Sequence, residues 1–547
     1  MQRQREGGFP LSSGRVPKSF IYVGFGIILI GFAWIAPLGR IDALAETQSD
    51  PSPTPPGDEA TPAGIEVPLG RYVPPFEALD AEVPSAPSNP ADSLAPGLSS
   101  GFDGIGMEDD DDGLIHTPPD THAATGLDRI VEVTNGHVAI YNKSGALIAG
   151  GDSGSGAVDL DAFCGQEGCF DPKVIYDQAS DRFVAVVLEG NDSTDSWLHV
   201  MVSKTSSPTN LTSDWDRFRQ SAATTISSTA GWFDYPGLGV SPDAVVVTGN
   251  IFPDAGIVLG TKIRVFDKVE LYNGDATATF VDIDTTWASG GFTIQPAHHL
   301  SSPPSGTFYL LQGWNATNLR VVALTGVPGS PSVNAALVPT SDQGSCVGAA
   351  SQQGTSKTVD TLCIRMMNAV YRDSSLWGTH TGSDASDTRA VVQWYEILTN
   401  GFPSASLSLR QHGAIDGGAG EHTFLPSISV DSCDSAALTY TQSSTSRFPE
   451  MRYTARQDGD PLNTMQAPGV AKTSLSYHDD FSSSPDRWGD YSSTVIDPSD
   501  DSFWITHEYV KVAASGGGDN GRWGTWHANF SVPCDLGNSI FLPLFPP

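Results

Sequence analysis

Basic residues are scarce in this chain. Only 29 Lys and Arg stand against 63 Asp and Glu, leaving a net charge of −34 over 547 residues. A nucleic-acid surface needs clustered cations to displace phosphate counterions, so nucleic-acid binding is excluded as a function class. Long runs of Ala, Leu, Glu and Lys at helical spacing are missing, which removes helical bundles and coiled coils. No His-Glu-x-x-His occurs, so the helical zinc-peptidase arrangement is excluded. Cysteine is sparse, at six residues. Only one apolar run approaches the length of a bilayer crossing.

That run lies near the N-terminus, from Phe20 to Leu38, behind Arg3, Arg5, Arg15 and Lys18. It is followed by "DALAE", with Ala43 and Ala45 placed as in an A-x-A cleavage site. Residues 1–45 therefore read as a signal peptide, with an uncleaved membrane anchor as the alternative. Either way the rest of the chain is expected outside the cytoplasm, secreted or tethered to the envelope. The six cysteines, Cys164, Cys169, Cys346, Cys363, Cys433 and Cys534, agree with an oxidising space. Fifteen connectivities are open to them. Cys164 and Cys169 flank the short loop "CGQEGC" and are the easiest to join. Cys346 with Cys363 and Cys433 with Cys534 follow by elimination. A zinc site needs two close Cys pairs, and only one is present.

Residues 46–112 are rich in Pro, Ser, Ala and Gly and end in "EDDDD", Glu108 to Asp112. Such a stretch cannot bury enough apolar surface to fold and reads as a disordered linker. From 113 to 535 the texture changes to short strands rich in Val, Ile, Thr and aromatics, separated by Gly, Asp, Asn and Ser. The tail, 536–547, is apolar but too short to span a membrane.

The strand region repeats itself. "GWFDYPGLGVSPD" and "RWGDYSSTVIDPSD" share Trp232/Trp488, Asp234/Asp490, Tyr235/Tyr491 and Pro242/Pro498. The same template fits "FDPKVIYDQ", "FLPSISVDS" and "IQPAHHLSS", and more weakly "MMNAVYRD" and the stretch at Pro119. Repeat starts fall at 119, 172, 236, 296, 367, 426 and 492, with intervals of 53, 64, 60, 71, 59 and 66. Units of about 60 residues, each holding several strands, predict an all-β propeller of seven four-stranded blades, with six as the alternative. In this reading the repeated Pro starts the innermost strand, and the Asp or Ser five residues later makes the turn after it. The last strand, "TWHANFSV", is expected to close the ring beside the first blade.

The series "FDGIG" followed by "PPDTHAATGLDRIVEVTNGHVAIYNKSGALI", "CFDPKVIYDQASDRFVAVVLEG", "FDYPGLGVSPDAVVVTGN" and "RWGDYSSTVIDPSDDSFWITHEY" resembles a family of exported bacterial proteins. They are predicted β-propellers, loosely called sialidase-like and mostly of unassigned function. The resemblance runs from about residue 101 to 533. It implies a fold and an exported location, and brings no catalytic residues. The "EDDDD" run and the sparse early cysteines depart from it.

The residue chemistry does not choose between a binder and an enzyme. The Ser-x-Asp-x-Gly-x-Thr-Trp turn common in sialidases is absent. "GGDSGSG", Gly150 to Gly156, contains Gly-Asp-Ser-Gly but no Ala-Ala-His-Cys element precedes it, so it reads as a loop. Asp171, Asp234, Asp490 and Glu421 open inner strands, where turn and cap roles compete with chemistry. Five sequons occur, at Asn142, Asn191, Asn210, Asn315 and Asn529. The expected function is a monomeric, extracytoplasmic binding or scaffold module for a glycan or protein ligand. The channel-mouth candidates are Asp171, Asp234, His298, Arg365, His422, Arg487, Asp490 and Tyr491. The alternative is a carbohydrate hydrolase or lyase using carboxylates of that ring. No catalytic residue is named. The metal expectation is limited to Ca2+ at acidic turns such as Asp497 to Asp501.

Overall fold

Period-two alternation implies strands with one buried face, but strands such as Ala244–Phe252, His422–Val430 and Ala436–Ser444 are buried on both faces, because each sheet is packed between two neighbours. The computed structural model describes residues 95–107, 117–151, 158–275, 278–286, 292–479, 485–513 and 521–534. All of them fall in one of the two units into which the chain divides, Pro62–Pro547. The proposed export segment, the "EDDDD" run, the centre of "GGDSGSG" and the apolar tail lie outside the described residues. Among the described residues the two α-helices, Leu160–Cys164 and Lys268–Tyr272, have five residues each. None is long and apolar enough to cross a membrane.

The strands form antiparallel four-stranded meanders, the third extended by a fifth strand and the fourth and fifth joined through a parallel pairing of Ala297–His299 with Ala369–Tyr371. Their first strands are His122–Thr125, Cys169–Asp177, Thr229–Val240, Gln295–His299, Met366–Arg372, His422–Val430 and Ser493–Ile496. Each first strand packs against the first strand of the next meander, and the last packs against the first. This cycle is the hub of a β-propeller. The apolar core follows the same cycle. Val245 and Val247 of the third sheet face Val184 and Val186 of the second. Their neighbours Ala244 and Val246 turn the other way, onto Phe308 and Leu310 of the fourth. A separate cluster fills each interface around the ring, the last joining Trp504 and Trp523 to Ile130 and Tyr141.

Two expectations change here. The ring is closed by Ser100–Gly106, which pairs antiparallel with Arg522–Phe530 and completes the last meander. The sequence reading had placed "SGFDGIG" in the linker because of its glycines. Those glycines serve close packing: a Cβ on Gly104 would lie 2.4 Å from Thr525 Oγ1 and 2.5 Å from Glu132 Oε2. Phe102 stacks on His527 at 4.8 Å. Second, Pro172, Pro236 and Pro426 sit inside their strands rather than at the start. Each follows a left-handed residue, Asp171, Tyr235 or Leu425, at an irregularity in the ladder. A bulge takes the missing N–H out of the ladder, so proline is tolerated there.

Four of the residues five positions on behave as expected, while Ser301 accepts from the Asp373 N–H of the next sheet instead. Asp177, Ser241, Asp431 and Asp497 accept from backbone N–H groups of the turn that follows. The three disulfides are Cys164–Cys169, Cys346–Cys363 and Cys433–Cys534.

Candidate functional site

The left-handed residues of the first strands turn several side chains toward one end of the hub. Asp120 and Asp171 have φ of 48° and 50°, and Tyr235 has 57°. Asn135 ties the first two sheets together. Its Nδ2 donates to Asp120, and its Oδ1 accepts from the Asp171 N–H at 2.7 Å. The Asp490 N–H donates to Asp120 Oδ1 at 2.7 Å. Tyr491 donates to Asp171 Oδ2 at 3.0 Å. Arg487 pairs with Asp490. Asp120 and Asp171 share a hydrogen bond between carboxyl groups.

Tyr235 and Tyr491, the matching tyrosines of the two best repeats, meet with ring centroids 5.3 Å apart. Lys173 lies over the Tyr491 ring at 4.1 Å. Beyond this plug the hub is narrow. A cavity of about 50 Å³ is lined by residues of all seven first strands, including His122, Lys173, His298, Asn368, Ser427 and Ser493. That is room for one or two waters.

Crowding of like charges in a buried space sets the protonation. Burial, then Asp490 and Asp171, push Asp120 well above the carboxylate range. Burial and Asp490 raise Asp171. Burial, with Asp171 and Asp490, raises Asp234 to about 8. Burial lowers Lys173 to about 7 against the pull of Asp171 and Asp490. A buried, crowded carboxyl kept neutral can donate a hydrogen bond.

Six of the sequence candidates gather here: Asp171, Asp234, Arg365, Arg487, Asp490 and Tyr491. His298 lies further along the hub, close to Asp177 and Lys268, and burial holds it neutral, at about 4. His422 is at the fifth–sixth sheet contact, where its Nδ1 accepts from Ala390 N–H at 3.2 Å. Glu421 is taken up by Arg447 and Gln442. The acids of the "DPSDD" turn accept from separate donors: Asp497 from Lys143, Asp500 from Ser502 and Asp501 from Ser432. Asp120, Asn135 and Lys173 were not singled out from sequence, and Tyr235 entered only as a repeat element, not as a site candidate. Asp120, Lys173 and Tyr235 each adjoin the repeat-defining Pro, a signal that the spacing already contained.

Arg365 is delivered by an insertion between the fourth and fifth sheets. It holds the ribbon Ala349–Ser351 with Thr358–Asp360 and the Cys346–Cys363 bridge. Leu362 and Ile364, on either side of Cys363, have φ of 45° and 63°. Left-handed backbone is costly for a β-branched residue such as Ile364, so the surrounding structure must enforce it. The guanidinium lies 5.0 Å from the Tyr235 ring centre and 5.1 Å from that of Phe292. Tyr235 directly follows Asp234 in the strand Thr229–Val240, so the cation stands over the residue adjoining that carboxyl.

No family model matches the chain, and no curated protein does. Solved structures to which it is similar include a protein of unknown function from Dyadobacter fermentans. Identity there is 9% with a TM-score of 0.34, over 66% of this chain and 94% of that one. The Trypanosoma rangeli sialidase in complex with the inhibitor DANA is similar at 10% identity and a TM-score of 0.32, over 66% and 55%. The GH43 endo-arabinanase from Bacillus licheniformis is similar at 11% identity and 0.28, over 54% and 96%.

Proposed function

We propose that the chain is an exported, seven-bladed β-propeller that binds a glycan or protein ligand at the hub mouth through an anionic group. Seven first strands packed in one cycle support the blade number. Three disulfides support an oxidising, extracytoplasmic location. The observation that carries the binding function is Arg365. Tyr235 and Phe292 hold its guanidinium by their faces, while no hydrogen bond to it occurs among the described residues. A guanidinium fixed by its faces keeps its planar N–H fork for a carboxylate, sulfate or phosphate. The deeper acids Asp120, Asp171 and Asp490 are tied to Asn135, Tyr491, Arg487 and one another. They build the mouth, and Asp234, which retains partial solvent access, adds a neutral O–H donor beside the cation.

The test is a glycan array of uronic-acid, sialylated, sulfated and neutral glycans, probed with the exported chain and with Arg365→Gln. Acidic glycans retained by the wild type and lost at least about tenfold in the variant support the reading. Retention of neutral glycans alone, or binding indifferent to the substitution, overturns it.

The neutral Asp234 also favours a second reading, hydrolysis with that residue as general acid. Turnover of fluorogenic glycosides that disappears in Asp234→Asn supports it. Binding without turnover in the wild type rejects it.

A further inference from the structure

The second sheet carries a further cluster of soft and nitrogen ligands, one of which, Cys169, is on the same strand as Asp171 and two residues before it. Cys164 ends the short helix Leu160–Cys164, and Cys169 opens the strand Cys169–Asp177. His199 lies two strands away, on Asp195–Ser203. The two Sγ atoms and a ring nitrogen of His199 lie within 4.8 Å of one another. All three residues are buried, His199 to 1% exposure.

The histidine is held as a metal-ligating histidine is held. Its Nε2 is 2.7 Å from Glu189 Oε2. Glu189 in turn takes a two-pronged hydrogen bond from Arg219, at 2.7 and 2.8 Å. Arg219 is fixed over the Trp197 ring at 3.5 Å. A carboxylate behind an imidazole sets its tautomer and orientation and raises its basicity as a ligand.

We propose that reduction of the Cys164–Cys169 disulfide uncovers a three-ligand site, Cys164, Cys169 and His199, for Zn2+ or a cation of similar softness. The single close Cys pair set aside a four-cysteine site from sequence, but His199 supplies the missing ligand: two thiolates, one imidazole and one open position for water is a zinc donor set. The Cα atoms are 6.8 Å apart, at the wide end of what a disulfide spans. The sulfurs can therefore separate to the roughly 3.7 Å that tetrahedral coordination requires without drawing the backbone apart. Between them Gly165 and Gly168 are left-handed, at φ 81° and 82°. These glycines let the loop follow the sulfurs.

The chemistry balances with a dithiol as reductant. Its two S–H groups become a disulfide, the protein S–S bond breaks, and each cysteine sulfur gains one proton. Metal binding then releases those two protons as both sulfurs become thiolates.

Anaerobic titration with Co2+, a spectroscopic stand-in for Zn2+, tests this on the oxidised and the dithiol-reduced chain. The expected result is one equivalent bound to the reduced chain only, with a thiolate-to-metal absorption band. Cys164→Ser/Cys169→Ser abolishes the band, and Glu189→Gln weakens binding about 10- to 100-fold with the ligands intact. A band that survives in the double cysteine variant comes from other cysteines and overturns the proposal. So does a folded reduced chain that takes up no Co2+, or one that unfolds when this disulfide opens. A His199→Gln variant that binds as tightly as wild type also overturns it.

Discussion

Replacing Asp234 by Asn removes a carboxyl that the fold holds neutral, and the consequence is a pH-dependent gain in stability. The carboxyl goes from 3.8 to about 8 on folding. Below pH 3.8 neither the folded nor the unfolded chain carries the charge, and the variant differs only by a fixed amide-for-acid term. Above it the unfolded chain ionises while the folded one does not, so the wild type loses stability with rising pH until about 8, where the loss levels off. Each pH unit in that window is worth about 1.36 kcal/mol, so from pH 5 to 8 the wild type falls on the order of 3–4 kcal/mol relative to Asp234→Asn. Lys173, lowered to about 7, runs the other way: its cost is full below pH 7 and fades as pH rises toward 10.5. It is present in both proteins, and to first order its contribution cancels in the difference. The assay is urea unfolding of both proteins at pH 5, 6, 7, 8 and 9. Curves of midpoint against pH that spread apart and then run parallel above pH 8 are expected. Curves parallel throughout would show that Asp234 ionises in the folded protein, and the crowded-acid account of the mouth would fail.

Three further outcomes follow from the packing. Thr441→Val leaves the buried Trp488 Nε1–H, now 3.0 Å from Thr441 Oγ1, without its acceptor and costs about 1–3 kcal/mol, read as a lower urea midpoint; no change would place that N–H elsewhere. Cys433→Ala/Cys534→Ala opens a loop with a sequence separation of 101 and costs about 4–5 kcal/mol by chain entropy, checked by comparing its Tm with that of the oxidised wild type; an unchanged Tm would refute it. Ser493→Ala removes the acceptor of the buried Ala123 N–H, 2.8 Å away across the last and first sheets. Hydrogen exchange is expected to speed up first in peptides on both sides of that seam, and uniform acceleration around the ring would refute it.

The repeat was legible because each unit must place a bulge, a turn-forming acid and two apolar faces at fixed positions. The spacing carries all of that. The longest interval, 71 residues between starts 296 and 367, contains the disulfide-closed insertion that brings Arg365 to the mouth. Length alone marked it, but nothing in its sequence announced where it would lie. The sequons at Asn142, Asn210 and Asn315 have a local explanation. Each side-chain oxygen accepts from the N–H two residues on, at 3.0, 2.8 and 3.0 Å. The Asn-x-Ser/Thr pattern here writes Asx turns at strand connections. Lys173 escaped notice because a lysine beside a proline in a strand reads as a solvated edge. Its burial depends on two tyrosines 62 and 318 residues away in the chain. His298 and His422 were drawn in by position in the repeat, yet a strand position does not say whether a side chain points along the hub or into a sheet contact.

The acid cluster and the closure of the ring occupy one place, and that has a consequence for how the mouth is built. Asp490 belongs to the approach to the last first strand and Asp120 to the approach to the first, and the N–H to carboxylate bond between them crosses the seam. The Asn135 and Tyr491 bonds extend the same network to the second sheet. The Asp490–Asp120 and Tyr491–Asp171 bonds form only when the two chain ends meet, whereas Asn135 joins Asp120 and Asp171 within consecutive sheets. Burial comes first in raising Asp120, Asp171 and Asp234, and Asp490, brought in by closure, raises each of them further. An open ring would remove the Asp490 contribution and let water reach these acids. The cost of bringing them together is borne by the cyclic core and the strand Ser100–Gly106 that completes the last sheet. The protonated mouth is thus a property of the closed propeller rather than of any one blade. Two matching Trp-x-Asp-Tyr elements, each structural in its own blade, become a joint site only where closure brings their tyrosines together.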